Sequence, residues 1–425
     1  MLLDAWLRRA GAERPHVPAV VTDEGSLCYL DLDRDATRVA VALFALGIEP
    51  GDRVGLLLEP GLEFARCLYG VLRMGGVAVP VDPRLGPQDR AARLAGCVLV
   101  LEGERLRGEA ILNILGLPEG PAVIVHTSGT TSSPKPVELS HANWWWSAAG
   151  SAVALGHDPR ERWLCALPVS HVGGLSILIR AAIGGTTAIV HPRFDPERIA
   201  RDLAAPDGPT LISVVPTMLA RLLDAGLQRP PSLRAALVGG GPIPPALLER
   251  ADAAGVRCVT TYGMTEACSQ ITTGGPPLFC TRVRIAGDGE ILVRSPTVAP
   301  GAVATDGWLH TGDLGALDEH GHLRVTGRAT DTIVTGGENV APAEVEAVLE
   351  AHPAVAEAAV HGRPDDEWGE AVVATVVLRD GMRADAETLR GHVREHLAPF
   401  KVPKAIAFTA ALPRTPSGKL LRRDL

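Results

Sequence analysis

The residues with the most to offer chemically begin at an apolar run, Val123-Ile-Val-His126, and continue through Thr127, Ser128, Gly129, Thr130, Thr131, Ser132, Ser133, Pro134 and Lys135. The apolar run predicts a buried strand. Beyond it, small side chains let backbone N–H groups point at a ligand, hydroxyls add donors and Lys135 adds positive charge, which together suit a phosphate. This is not a Walker A loop, because the second glycine and the adjoining Lys-Ser/Thr pair are missing. On composition alone a plain surface turn fits equally well. A second grouping, Tyr262-Gly-Met-Thr-Glu266, follows the apolar start of Val259. It offers an aromatic face for a base, a hydroxyl for a phosphate and a carboxylate for Mg²⁺. A core tyrosine and a solvated glutamate are the plainer alternative. Gly239-Gly-Gly-Pro242 would let backbone approach a flat ligand closely, or simply turn the chain.

Elements must position these groups. Val54–Leu58 reads as a strand, and Glu63–Met74 has helical spacing with Phe64, Cys67, Leu68, Val71 and Leu72 on one face. Gly76–Pro80 is strand-like again. The alternation repeats at 163–167, at 176–183 leading to 187–191, at 210–215, at 235–238 and at 257–261. Alternating strand and helix segments imply an α/β fold of mostly parallel sheets flanked by helices. Glu290–Arg294 and the glycine-rich stretch to Gly327 suggest a small β subdomain. The pattern changes near 328–332. Pro342 suits the first position of a helix that Pro353 ends. Strands at 355–361 and 371–378 and a helix over 384–397 then make a small α+β domain. The expected division is therefore 1–328 and 329–425.

Composition narrows the function. The net charge of −8, with no basic cluster interleaved with aromatics, argues against nucleic-acid binding. Seven cysteines, odd in number and never in a Cys-x-x-Cys pair, argue against a disulfide framework or a zinc site and for a reducing cytoplasm. The first residues lack the basic start of a signal peptide, and no apolar run reaches membrane-spanning length.

In order along the chain these motifs resemble the superfamily of adenylate-forming enzymes, which includes acyl-CoA and aryl-CoA ligases. Thr127 to Thr131, Pro134 and Lys135 match its phosphate loop, with Ser132 and Pro136 where glycines are usual. The resemblance implies a large N-terminal domain and a small mobile C-terminal lid, and it implies roles. Tyr262 would stack on adenine, Thr265 would bond the α-phosphate and Glu266 would hold Mg²⁺, while Gly239 and Gly240 would line the adenine side. Asp313 in Thr311-Gly-Asp matches the aspartate that accepts both ribose hydroxyls, and Arg328 matches the arginine that also reaches the ribose before the hinge. At the hinge, Thr330 stands where Asp or Lys is common. Gly336 and Gly337 match the lid glycines that border the pantetheine path. Lys419 matches the lid lysine that bridges substrate carboxylate and α-phosphate.

Three wider stretches, Asn143–Ser147, Leu175–Arg180 with Phe194-Asp195, and Tyr262–Ile271, are similar to the o-succinylbenzoate–CoA ligase branch, a menaquinone-pathway family. The implied reaction is ATP-dependent activation of an aromatic keto-acid to an acyl-adenylate, then transfer to coenzyme A. His171, Ser176, Thr217, Gly241 and Ser269 are the candidate pocket residues, with Arg180 for a distal charge. His171 joins Lys419, Thr265 and Glu266 in the catalytic set. Expected partners are a carboxylic acid, ATP, Mg²⁺ and CoA, without nucleic acid or membrane insertion, and with a homodimer as a candidate assembly. Another aryl or medium-chain acid as substrate, or a non-catalytic nucleotide sensor, are the alternatives.

Overall fold

A computed structural model describes residues 2–103, 120–127, 134–414 and 420–425. The described residues form two compact units. The first comprises Met1–Gly239, Ala251–Arg282 and Val293–Leu309; the second comprises Gly240–Arg250, Val283–Leu292 and His310–Leu425. These units do not coincide with the expected 1–328 and 329–425 division.

Two sheets organise the first unit. The larger has eight strands in the order Ser269–Thr273, Cys258–Met264, Ala235–Val238, Leu211–Val214, Arg162–Cys165, Thr187–Val190, Pro18–Thr22 and Gly25–Cys28. Its six inner strands run parallel, and an antiparallel strand closes each edge. Leu211–Val214, Thr187–Val190 and Ala235–Val238 are buried along their whole length, as expected of parallel strands covered on both faces. The smaller sheet runs Leu99–Leu101, Arg53–Leu56, Val77–Pro80, Pro121–Thr127 and Lys135–Ser140, with only the last pair antiparallel.

Helices pack where the periodicity places them. Leu62–Met74 buries Phe64, Cys67, Leu68, Val71 and Leu72 and stops at Gly75, whose φ of 81° is the left-handed conformation that ends helices. Each such buried side chain contributes about 1.5–3 kcal/mol relative to exposure. Gly70 of this helix is needed for contact with Tyr29–Ala45, since a Cβ there would lie 2.3 Å from Val39 Cγ1.

Most of a four-stranded sheet, Arg282–Ile285, Glu290–Arg294, Leu309–Leu317 and Leu323–Arg328, falls in the second unit. Its other sheet runs Glu338–Val340, Ile333–Thr335, Gly369–Leu378 and Val355–Asp365, with Ala405–Phe408 pairing parallel to Gly369–Leu378. This second sheet has a core of its own, in which Ile333, Val345, Leu349, Val360, Val376, Leu389 and Val393 are buried together. Helix Pro342–Ala351 begins on its proline as read from the sequence. The last helix spans Ala386–His396, two residues later than expected, because the Asp385 carboxylate accepts from Thr388 N–H at 2.8 Å and caps it. Among the described residues no helix is long and apolar enough to cross a membrane.

Candidate active site

In the smaller sheet, Thr127 ends one strand and Lys135 begins the next, and the two face each other as a cross-strand pair. The Thr127 hydroxyl makes a long 3.5 Å contact with the Lys135 carbonyl, and Lys135 is exposed to solvent. Ser128, Gly129, Thr130 and Thr131 lie outside the described residues. Burial, then Arg93 and Arg53, push the His126 pKa down to about 4, so a neutral ring enters this hairpin.

Tyr262 and Glu266 sit on a second hairpin whose geometry is unusual. Strand Cys258–Met264 pairs antiparallel with Ser269–Thr273, with a bulge between Tyr262 and Gly263. A Cβ on Gly263 would lie 1.7 Å from the Ser269 carbonyl oxygen, so only glycine fits. Thr265–Ala267 is one 3₁₀ turn, and Thr265 and Glu266 are both half-buried on it. Cys268 and Ser269 then take φ of 52° and 95°, a conformation that costs a non-glycine residue about 1–3 kcal/mol.

Surrounding groups hold this strain. Cys268 N–H donates to Thr265 O at 3.0 Å, and Ala299 N–H donates to Glu266 O at 2.8 Å. Ser147 Oγ donates to the Cys268 carbonyl at 2.6 Å and accepts from Arg180 Nη2 at 3.2 Å. Arg180 is buried, lies over the Trp163 ring at 5.5 Å, and pairs with no carboxylate among the described residues. Burial pushes its pKa down to about 10, and it still carries its charge at neutral pH. A buried cation with no carboxylate partner is costly, and an anion supplied from elsewhere would lower that cost.

The remaining pocket candidates differ in character. His171 precedes the helix Val172–Gly184 at the N-cap position without a side-chain capping bond and is half-buried; burial and Arg93 lower its pKa against the pull of Asp82, so the ring is neutral. Ser176 is buried and donates its hydroxyl to Gly173 O at 3.1 Å. Thr217 is half-buried on the first turn after strand Leu211–Val214. Gly239 lets two strand ends approach, since a Cβ would meet Thr261 at 2.6 Å. Gly240 and Gly241, in the second unit, are exposed.

The second unit contributes its own constellation. Asp313 and Arg328 face each other across paired strands, with Arg328 Nε 2.9 Å from Asp313 Oδ1. Asp313 is buried, and its N–H donates to Thr311 Oγ1, whose hydroxyl is itself committed to Ile291 O at 2.7 Å. Glu290 steadies the turn by accepting from Gly312 N–H at 2.8 Å while its other oxygen lies 2.8 Å from His310 Nδ1. Gly336 and Gly337 form the two-residue turn between Ile333–Thr335 and Glu338–Val340, with φ of 58° and 84°. Two successive positive angles define the hairpin turn that glycine favours. A Cβ on Gly336 would also press the Trp368 ring at 2.9 Å. Lys419 lies outside the described residues. On either side of it, Arg414 pairs with Glu357 at 2.6 Å and Arg422 pairs with Glu346 at 2.8 Å and Asp331 at 3.3 Å.

Within each unit, then, the candidates gather: Tyr262, Thr265, Glu266 and Ser269 on one hairpin, Thr127 with Lys135, and Asp313 with Arg328. Gly263, Ser147 and Asn143 stand inside stretches quoted from the sequence, but their supporting roles were not read there. Asn143 completes a capping box with Ser140 and donates to the carbonyls of Pro296 and Val298. The Asn143-Trp-Trp-Trp-Ser147 stretch held that signal, but pins of this kind depend on partners more than a hundred residues away.

Residues 7–115 and 115–302 match the AMP-binding enzyme family, and residues 344–419 match the AMP-binding enzyme C-terminal domain. The chain belongs to this family. Its similarity to individual members extends over nearly the whole length. A 2-succinylbenzoate–CoA ligase from Bacillus cereus is 36% identical over 471 residues, covering 99% of this chain and 97% of that one. The o-succinylbenzoate CoA synthetase of Bacillus subtilis, in complex with the acyl-adenylate intermediate OSB-AMP, superposes with a TM-score of 0.90 at 34% identity, covering 98% of this chain and 97% of that one. The same enzyme in complex with ATP and magnesium ion gives 0.90 and 34%, covering 99% and 98%.

Proposed function

We propose that this chain is an AMP-forming acid–thiol ligase that converts o-succinylbenzoate to o-succinylbenzoyl-CoA. The observation that carries this reading is 36% identity to ligases of that specificity over 99% of the chain. The motif residues Lys135, Tyr262, Glu266, Asp313, Arg328 and Lys419 all stand in their expected order. In the first half-reaction the substrate carboxylate attacks the α-phosphorus of ATP, forming the acyl-adenylate and releasing pyrophosphate. In the second, CoA thiolate attacks the adenylate carbonyl, giving thioester and AMP. Dividing one hard step into two activated ones is a general catalytic device.

The proposed roles follow the chemistry of each group. Thr127 to Thr131 and Lys135 bind phosphate, and Thr265 donates to the α-phosphate. Tyr262 stacks on adenine beside Gly239 and Gly240. Asp313, oriented by Arg328, accepts the ribose hydroxyls. Glu266 supplies the hard oxygen donor that Mg²⁺ takes, and its half-buried place on a pinned turn suits that use. Mg²⁺, when bound, neutralises phosphate charge. Lys419 stabilises charge between carboxylate and α-phosphate. Arg180 receives the distal carboxylate of the acid, with His171, Ser176, Thr217, Gly241 and Ser269 around the aromatic part. The Gly336-Gly337 turn borders the CoA path on a lid that begins at 329 and swings between half-reactions. The separate core of residues 333–402 supports that boundary. A cytoplasmic setting fits the seven free cysteines.

The test is CoA-dependent AMP formation with purified protein. The expected result is that o-succinylbenzoate exceeds benzoate and octanoate by orders of magnitude in kcat/KM, because an analogue lacking the second carboxylate leaves buried polar groups unpaired. Comparable rates with octanoate would leave a general acid–CoA ligase. No pyrophosphate release with any acid would point to a nucleotide sensor.

A further inference from the structure

The last turn of helix Ala386–His396 carries a grouping that the ligase reaction does not use. One ligand atom from each of His392, Glu395 and His396 lies within 4.8 Å of the others. Histidines four apart on a helix share a face, and a carboxylate three after the first adjoins them. Both rings are held by backbone carbonyls. His392 Nε2 is 3.1 Å from Val348 O, and His396 Nδ1 is 2.8 Å from His392 O. A carbonyl can only accept, so each of these nitrogens is the protonated one, and the opposite nitrogen of each neutral ring keeps a lone pair. Carbonyl-held imidazoles are the arrangement that fixes tautomer and orientation in metal sites. Glu395 is exposed and makes no hydrogen bond or ion pair among the described residues, which leaves its oxygens available.

We propose that His392, Glu395 and His396 form a binding site for a divalent first-row transition cation of the zinc class. Two imidazoles and one carboxylate suit zinc and its neighbours, whereas Mg²⁺ takes oxygen donors and keeps its waters. The site has three protein ligands, with solvent completing the shell. His352 packs edge-on to His392 at 5.2 Å between ring centroids but is not a ligand. Its Nδ1 accepts from Ala354 N–H at 3.2 Å, so the proton sits on Nε2 and a lone pair is not presented. Bound metal would tie residues 392 and 396 across the turn that leads out of the helix.

Isothermal titration of the whole chain with zinc alone, in chelator-stripped buffer, tests this. One saturable equivalent is expected. His396→Ala, an exposed position, and His392→Gln should each weaken it at least about tenfold, as even loss of a supporting partner does at metal sites. Circular dichroism without metal checks that both variants fold. His320→Gln with His322→Gln removes the other histidine pair, with centroids 6.0 Å apart, and should leave binding unchanged. Cobalt in place of zinc should give visible bands without thiolate charge transfer, which separates the site from the seven free cysteines. Unchanged zinc binding in both site variants, equal loss in the control, or a thiolate band would each overturn the proposal.

Discussion

At the scale of single residues, the hairpin around Tyr262 depends on an atom that is absent. A Cβ on Gly263 would lie 1.7 Å from the Ser269 carbonyl oxygen, and Cys268 and Ser269, at the start of the returning strand, have positive φ, with Cys268 bonded to Thr265 and to Ser147, which Arg180 bonds in turn. Gly263→Ala should therefore destabilise the protein by about 2–3 kcal/mol, the usual range for overpacking against a part that cannot move away. Nucleotide-dependent activity should fall with it, because Tyr262 and Glu266 ride on the displaced strand. Urea unfolding of the variant measures the first effect; a midpoint equal to wild type would mean the hairpin is not this tight. The sequence displayed Tyr262, Thr265 and Glu266 because chemistry is written in residue types. It did not display the close approach that demands glycine at 263, because the carbonyl involved belongs to Ser269, six residues further along the chain. Nor did it show that Arg180 pairs with no carboxylate among the described residues, although a single charge inside the apolar run 175–183 was visible.

Elements were legible wherever polarity alternates. Leu62–Met74 has one apolar face, and its bounds differ by one residue from the reading. Val172–Gly184 is buried for most of its length and nearly all apolar, so the sequence marked only 176–183 of it and not its first turn. The 386–396 helix was read two residues early because a cap is a hydrogen bond and not a pattern. The C-terminal tail teaches more at this scale. Arg414 and Arg422 fasten it to helix Pro342–Ala351 and strand Val355–Asp365 on both sides of residues 415–419. Glu346, the main partner of Arg422, has its pKa raised by burial, and Arg422 acts against that rise. Arg422→Gln should cost about 2–3 kcal/mol, less than breaking a fully buried pair, because Glu346 can take up a proton instead. If Lys419 acts in adenylation, loosening one of its two moorings should slow pyrophosphate release more than thioester formation from supplied acyl-adenylate. Equal slowing of both half-reactions would reduce Arg422 to a purely structural role.

For the molecule as a whole, burial of titratable groups sets how stability responds to acid. His126 and His141, both in the first unit, have pKa values pushed down to about 4, in each case chiefly by burial. Unfolded, each would take up a proton near pH 6.5, while the folded protein resists until about 4. Stability is therefore intact above 6.5 and falls as pH drops through that window, by about 1.4 kcal/mol per pH unit for each histidine. Glu350 in the second unit works in the opposite sense. Burial raises its pKa to about 7, so the folded state holds a proton the unfolded state lacks between about 7 and the ordinary carboxylate range. Its contribution is full at low pH and lost as pH rises through 7, which offsets part of the acid loss without cancelling two histidines. Six of the seven tryptophans lie in the first unit, so fluorescence-detected urea unfolding reports mainly on the acid-sensitive part. His141→Asn isolates one proton. The asparagine oxygen can still accept the Leu3 N–H that His141 Nδ1 now accepts at 3.2 Å, and it does not titrate. The variant should lose about 1.4 kcal/mol less than wild type for each pH unit between 6 and 5. If the two proteins lost stability in parallel across that interval, His141 would already be protonated in the fold, and the acid limb would belong to other groups.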